Sequence, residues 1–215
     1  MPGATVPAGG RFYTLMDADA RLTRDLADDL DGAFDTLVVA HQDRLYTIAL
    51  RVLGDAGDAE EAAQDALVRA YRALATYDAP RIRELRLRGW LTTIVLNRCR
   101  SVAARRATRG PKPVSIDSDM ARPFAEPEAP AGAGPTEVAE RRAARDRWAM
   151  RLSALPTVYR TAVVLRHVDG MSYPEVAAVL GRPEGTVKAQ VHRGIALLRT
   201  MLEAEGRREL EEMSA

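Results

Sequence analysis

The residues of this sequence that could do chemistry are concentrated in one segment near its C-terminal end. No acid occurs between residues 186 and 202, and polar or basic side chains alternate there with apolar ones. The polar-side candidates are Thr186, Lys188, Ala189, Gln190, His192 and Arg193. Hydrogen-bond donors and cations on one side of a helix suit base edges and phosphates in the major groove of DNA. The segment therefore predicts a DNA-contacting helix, although any helical hairpin with a basic solvated face would show the same pattern.

The sequence around this segment, residues 172–199, predicts a helix-turn-helix. Ser172 stands three residues before Glu175, which is the spacing of a capping box at a helix start. Gly181 supplies a left-handed residue where that helix ends. The second helix carries an apolar stripe on its inner side, formed by Val187, Val191, Ile195, Leu198 and Leu202.

Charge is strongly segregated in the first half of the chain, although the formal net charge is only +1. Residues 17–65 hold thirteen acids and four arginines, whereas residues 81–109 hold nine arginines and one glutamate. This distribution predicts an acidic face for a basic protein partner and a basic face for phosphates. Ordinary solvated helix surface is the alternative explanation.

The residues that catalysis or metal binding would need are scattered. The histidines His41, His167 and His192 and the single cysteine Cys99 show no nucleophile–base spacing and no metal pattern. Cys99 falls on an apolar helix face, which favours a core position over a reactive thiol. We expect no catalytic residue, no metal, no cofactor and no small-molecule substrate. A single cysteine, no apolar run long enough for a bilayer and no signal-peptide core predict a cytoplasmic protein.

Helical periodicity dominates the rest of the chain. Residues 34–53 carry an apolar stripe, Gly54 ends that helix, and Asp58 is expected to cap the next helix, 59–75. After an interruption at Pro80, a helix over 89–106 should bury an apolar face that includes Trp90. Because Trp90 belongs to this face, core packing is favoured over stacking on a base.

These patterns predict an all-α fold: two small helical domains joined by a flexible linker, the C-terminal one a helix-turn-helix. Residues 107–140 contain six of the twelve prolines and no apolar period, which is typical of a tether. The expected order is a disordered extension over 1–28, a helical bundle over 29–106, a Pro/Ala-rich linker over 107–140, a helix-turn-helix domain over 141–205 and a tail over 206–215.

The C-terminal segment closely resembles the promoter-recognition domain of extracytoplasmic-function (ECF) sigma factors, whose last helix usually reads GTVKSRLHRARKRLR. The match is GTVK at 185–188, His192-Arg193 and Leu197-Leu198-Arg199. In the first half, GDAGDAEEAAQDALVRAYRAL at 54–74 resembles the family's DAEDLVQETFLRAWRAL. The stretch from Trp90-Leu91 through Asn97 to Arg105-Arg106 resembles AWLYRIARNLAIDALRR.

The resemblance implies a sigma factor that binds core RNA polymerase and directs promoter recognition, strand opening and transcription initiation. Domain 29–106 would be sigma region 2, and 141–205 would be sigma region 4, which binds the minus-thirty-five element as duplex. Contacts with the polymerase clamp fall on Asp58, Glu60, Glu61, Gln64 and Asp65. Contacts with the melted minus-ten strand fall on Arg81, Arg83, Arg86, Arg88 and Asn97. An anti-sigma factor is a further partner common in the family, although no residue of this chain indicates one.

Departures from the family pattern lie at functional positions. Ala189 and Gln190 stand where serine and arginine are common, so the promoter sequence cannot be taken from relatives. Ala62 and Ala63 replace a usual Leu-Val pair. The competing interpretation is a free-standing helix-turn-helix regulator that needs no polymerase. That interpretation leaves the acidic segment 58–65 without a purpose.

Overall fold

The computed structural model describes residues 8–109 and 134–213. Within those ranges the chain forms nine α-helices and no β-strand. The predicted all-α fold class is therefore confirmed. The two groups of helices are separated in sequence by residues 110–133, and the predicted tether lies largely in that segment, outside the described residues. The ends of the expected linker differ from the prediction, since one helix continues to Arg109 and the next begins at Pro135.

The first domain contains five helices. They are α1 (Ala8–Asp28), α2 (Leu30–Leu53), α3 (Ala56–Leu74), α4 (Ala79–Arg83) and α5 (Leu87–Arg109). The predicted stripe of α2 is buried, with Leu37 and Leu45 both at 0% exposure. Ala62 and Ala63, the small residues noted in the sequence, are also at 0% exposure. Small side chains there let α3 pack closely against its neighbours.

Residues 8–28 of the N-terminal extension form α1, so the prediction of disorder is wrong for them. Leu22 and Leu26 of α1 are 6% and 1% exposed and belong to the core of the first domain. They are four residues apart and therefore share one helix face. The prediction failed because the segment is rich in glycine, proline and aspartate and its apolar repeat is short.

The capping residues show how local sequence sets the helix ends. Asp29 caps α2 by accepting a hydrogen bond from the Gly32 amide at 3.0 Å. Gly54, with φ of +75°, ends it in the left-handed conformation. The expected cap of α3 was wrong by one turn. Asp55 is the N-cap and accepts from the Asp58 amide at 2.8 Å, so Asp58 lies inside the first turn.

The second domain contains four helices and one π-helical turn. They are α6 (Pro135–Ala154), α7 (Thr157–Val163), the turn Val164–Val168, α8 (Tyr173–Leu180) and α9 (Glu184–Met213). The capping box is confirmed, because Ser172 caps α8 and its backbone amide donates to Glu175 at 2.7 Å. Partial burial opposes the charged form of Glu175, but the hydrogen bonds from Ser172 lower its pKa overall. Gly181, with φ of +61°, ends α8 as predicted.

The last helix runs further than expected. Residues 206–215 were predicted to be a tail, whereas α9 continues to Met213. Directly before this extension, Arg151 of α6 donates through Nε to Glu205 of α9 at 2.9 Å. Leu202 was placed in the inner stripe but is 42% exposed.

The two domains pack directly against each other, which the sequence did not predict. Leu87 and Leu91 of α5 share one apolar cluster with Val176 and Val179 of α8. A Cβ built on Gly89 would lie 3.7 Å from Val179 Cγ2, so the start of α5 approaches α8 closely.

Candidate nucleic-acid and polymerase interfaces

Helix α9, the recognition helix, presents a continuous polar face to solvent. Thr186, Lys188, Ala189, His192 and Arg193 are all exposed. Lys188 pairs with Glu184, one turn earlier, at 2.7 Å, and that bond raises the pKa of Lys188. Two cations and a histidine on one side of an accessible helix can bind phosphates and the acceptor edges of guanine.

Gln190 does not belong to this face, so its assignment to the DNA-contacting surface disagrees with the structure. It is 8% exposed and lies in the inner stripe with Val187, Val191 and Leu198. At about 100° per residue, position 190 lies about 160° from both 188 and 192. Its Oε1 has no hydrogen-bond partner among the described residues. The helical angle alone does not separate Gln190 from the polar face, because position 190 lies about 60° from both Val187 and Arg193. Its burial is therefore a consequence of tertiary packing.

Gln190 faces a cavity of about 570 Å³ between the two domains. The cavity lining is mixed: apolar residues such as Leu96 and Cys99 alternate with arginines. These arginines are Arg100, Arg106, Arg160 and Arg182. Burial raises the pKa of the Cys99 thiol to about 12, which leaves it protonated and unreactive at neutral pH.

Helix α7 positions the recognition helix through a close crossing at Gly194. A Cβ at Gly194 would lie 2.6 Å from Val163 Cγ2 and 3.4 Å from Tyr159 Cβ. Only a residue without a side chain fits that approach. The crossing therefore sets the depth and angle at which the polar face of α9 projects.

The basic segment of the first domain is mostly accessible. Arg81, Arg83 and Arg86 are exposed. Arg81 stacks over the Tyr77 ring at 3.7 Å, and Arg83 pairs with Asp28 of α1 at 2.6 Å. These contacts hold two of the arginines along one edge of the bundle.

Asn97 and Arg88, the other residues of the predicted melted-strand surface, and the neighbouring Trp90 have different environments. Asn97 is exposed and accepts a hydrogen bond from Arg100 at 2.7 Å. Trp90 is half-buried and packs at 6.2 Å from Tyr77, as core packing would require. Arg88 is turned towards the second domain, where its Nη2 lies 3.2 Å from Asp169 Oδ2.

The acidic strip of α3 is largely paired within its own domain. Glu61 accepts from Arg105 of α5 at 2.7 Å, which raises the pKa of Arg105. Asp65 forms an ion pair with Arg98 of α5. Asp58 is 5% exposed and lies 3.4 Å from Arg106. Part of the charge segregation in the sequence is therefore explained by ion pairs between α3 and α5.

Of the other two strip residues, Glu60 is half-buried and Gln64 is exposed. Gln64 donates to Glu60 at 3.1 Å along the same helix face. Together with Glu61, which remains exposed, they form the accessible acidic surface of α3. This surface offers carboxylate and amide groups to a basic partner.

The geometry offers little to a catalytic interpretation. His41, His167 and His192 lie on α2, the π-helical turn and α9 respectively. Among residues 8–109 and 134–213, no group of three His, Cys, Asp or Glu side chains is arranged to hold a metal ion. The same residues include no helix of the length and apolarity that a membrane span needs.

Family comparisons agree with the two-domain arrangement. The model for sigma-70 region 2 matches residues 37–109, and the model for sigma-70 region 4 matches residues 145–198. The ECF RNA polymerase sigma-E factor of Escherichia coli strain K12 is 30% identical over 166 residues, covering 75% of this chain and 82% of the relative. The chain belongs to the ECF sigma factors of RNA polymerase.

Other relatives support this assignment. The ECF sigma factor SigE of Mycolicibacterium smegmatis is 33% identical over 171 residues, or 79% of this chain, which spans 62% of that relative's length. The solved structure of CnrH in complex with the cytosolic domain of CnrY has a TM-score of 0.63 and 29% identity. The match covers 87% of this chain and 99% of CnrH.

Membership in this family confirms the predicted function at the level of the whole protein. The chain is a transcription initiation factor that acts with RNA polymerase at promoters, and the free-standing regulator is not favoured.

Proposed function

We propose that the recognition helix α9 of this sigma factor binds the upstream promoter element as duplex DNA. The observation that carries the proposal is the shared exposure of Thr186, Lys188, Ala189, His192 and Arg193 on one face of α9. Lys188 and Arg193 supply charge to phosphates or guanine, and the small Ala189 allows close approach to a base edge. Gln190 is left out of this surface, because it is buried.

The first domain would carry the two other tasks of initiation. The exposed part of α3, with Glu60, Glu61 and Gln64, would bind basic side chains of the polymerase clamp. The accessible arginines of α4 and the start of α5 would bind the backbone of the melted minus-ten strand. In this scheme the domain boundaries of sigma regions 2 and 4 are 29–106 and 141–205, with α1 added to the first. The protein itself catalyses no reaction.

Run-off transcription tests the proposal as a whole. Core polymerase is incubated with fragments of the source genome, with and without the sigma factor, and transcript start sites are mapped. Starts that appear only with the sigma factor and share an upstream element support the proposal. DNA binding at those elements without any dependence on polymerase would overturn it.

A regulatory protein partner is a separate part of the proposal. The relative CnrH is solved in complex with the cytosolic domain of CnrY. We therefore expect an anti-sigma factor to bind this chain as well. A protein that copurifies from uninduced cells and suppresses the run-off activity when added back would support this expectation. Retained activity at saturating amounts of that protein would contradict it.

A further inference from the structure

Asp169 is the most completely enclosed carboxylate between the two domains. Its side chain is 4% exposed, although it lies in the short connection after the π-helical turn. Arg44 of α2 binds it with both arms: Nε lies 2.7 Å from Oδ1, and Nη2 lies 2.8 Å from Oδ2. The contact joins residues 125 positions apart, and Arg44 belongs to the other domain.

The rest of this site is built by the first domain. Arg88 of α5 places Nη2 at 3.2 Å from Asp169 Oδ2, and it also donates to the Asp169 carbonyl. Thr92 accepts from Arg44 Nη2 at 2.7 Å and donates to the Arg88 carbonyl at 2.7 Å. Thr92 is at 0% exposure, so it holds the Arg44 guanidinium in a set orientation. Thr92 therefore orients the Arg44 guanidinium independently of Asp169, and Arg88 adds a second guanidinium to the site.

The chemistry of this site is that of an oxyanion receptor. A guanidinium that donates two parallel hydrogen bonds suits a carboxylate and a phosphate equally well. The side-chain partners that the structure records for the Asp169 carboxylate, Arg44 and Arg88, both come from the first domain. Asp169 thus lies in a receptor that its own domain does not build.

The surroundings of the site indicate which other anion it would suit. Arg88 follows the exposed arginines Arg81, Arg83 and Arg86, the proposed path of the melted strand. Glu175 of the second domain is also influenced by this region. Burial raises its pKa, but the hydrogen bonds from Ser172 and, to a smaller extent, the charges of Arg88 and Arg86 lower it overall. The second domain therefore presents acids where a nucleic-acid backbone would present phosphates.

We propose that Arg44, Arg88 and Thr92 form a binding site for a backbone phosphate of the promoter strand, which Asp169 occupies when the domains are closed. Closure of the two domains and strand binding are then mutually exclusive. The inference rests on the proposed binding of DNA by the first domain. It adds Arg44 and Thr92 to the DNA-binding surface of the first domain. It also makes Asp169 an intramolecular competitor of the strand phosphate.

The test compares variants of the free full-length protein. Asp169→Asn keeps the size of the side chain and removes its charge. The matched control is Asp146→Asn, which removes an exposed acid of the same domain, on α6. Affinity for a mixed-sequence single-stranded oligodeoxynucleotide is measured by fluorescence anisotropy at several salt concentrations. Domain separation is followed by energy transfer between dyes on Thr76→Cys and Thr200→Cys, two exposed positions in different domains.

We expect Asp169→Asn to lower energy transfer and to tighten strand binding by about tenfold, with no such change in the control. Adding Arg44→Gln to Asp169→Asn should remove the gain and reduce the salt dependence by about one phosphate contact. Arg44→Lys, which keeps the charge, should restore part of the gain. Thermal unfolding of each variant verifies that the domains remain folded.

Three outcomes would overturn the proposal. Separation of the domains by Asp169→Asn without tighter strand binding would show that no phosphate site was uncovered. Unchanged energy transfer and unchanged affinity would show that Asp169 does not compete. A gain that survives Arg44→Gln with the same salt slope would place the phosphate elsewhere. Run-off transcription by the wild-type protein remains a separate measurement, so failure here is distinguishable from failure of the proposed function.

Discussion

The charged faces of α3 and α9 are both accessible, but only the α3 face is partly neutralised by a neighbouring helix. On α3, Glu61 pairs with Arg105 at 2.7 Å and Asp65 pairs with Arg98, so neighbouring α5 already neutralises part of the acidic strip. On α9, Lys188 pairs within its own helix, and no acid lies between residues 186 and 202. The α9 face over residues 186–202 is therefore available to a polyanion, whereas the α3 face must be shared between packing and binding.

The difference shows why charge segregation in a sequence has two possible meanings. An acidic and a basic segment can serve two external partners, or they can complement each other within a domain. In this sigma factor both occur, because Arg98, Arg105 and Arg106 of the basic segment face α3, while Arg81 and Arg86 remain exposed.

Charge reversal on α3 should have the largest effect. Glu60→Lys with Glu61→Lys should weaken binding to core RNA polymerase about a hundredfold, since each lost charge-assisted contact is worth about tenfold. Helical content should persist, because α3 is packed through its alanines. The control is Asp35→Lys with Asp43→Lys, the same charge change on exposed positions of α2. Equal losses in both variants, measured by competition binding, would mean that net charge rather than the α3 face determines affinity.

The anchoring of α9 is the next most sensitive feature. Gly194→Ala places a methyl group 2.6 Å from Val163 Cγ2, and we expect a loss of about 1–3 kcal/mol in the free energy of unfolding. Gly206→Ala lies in the same helix with nothing within 4 Å of its Cβ, and it should gain up to about 1 kcal/mol. Chemical denaturation measures both. A Gly194→Ala protein as stable as wild type would show that the helix crossing is looser than described.

The boundary of the DNA-contacting face is tested by neighbouring substitutions. Ala189→Arg, on the exposed side, should change the upstream sequence selected from a randomised element, by about 1–3 kcal/mol per altered base pair. Gln190→Arg, on the buried side, should leave the selected sequence unchanged. The reverse pattern would show that α9 is rotated on DNA relative to the free structure.

The smallest effect is expected at Lys188. Lys188→Ala should weaken binding to all upstream elements to a similar degree and lower the slope of affinity against salt by about one. Sequence preference should remain, because a phosphate contact carries no base information. A loss confined to particular sequences would instead make Lys188 a base contact and would sharpen the distinction between the two kinds of residue on α9.

The accuracy of the sequence predictions followed the range of the interactions. The α2 stripe, the capping box at Ser172 and the left-handed Gly181 were predicted correctly, because each depends on residues within a turn or two. The cap of α3 was predicted at Asp58 but lies at Asp55, because two aspartates three residues apart are equally good candidates. Helix α1 was missed because its apolar repeat is short and surrounded by polar residues.

The sequence of this protein determined its helices, its helix-turn-helix and its membership in the ECF sigma factors, because periodicity, caps and motifs are local. Tertiary structure decided which charges remain available. Packing of α3 on α5 neutralises part of the acidic strip, and closure of the domains buries Gln190 and places Asp169 between Arg44 and Arg88. Such contacts join residues far apart in the chain, and no local pattern encodes which distant group will satisfy a buried charge.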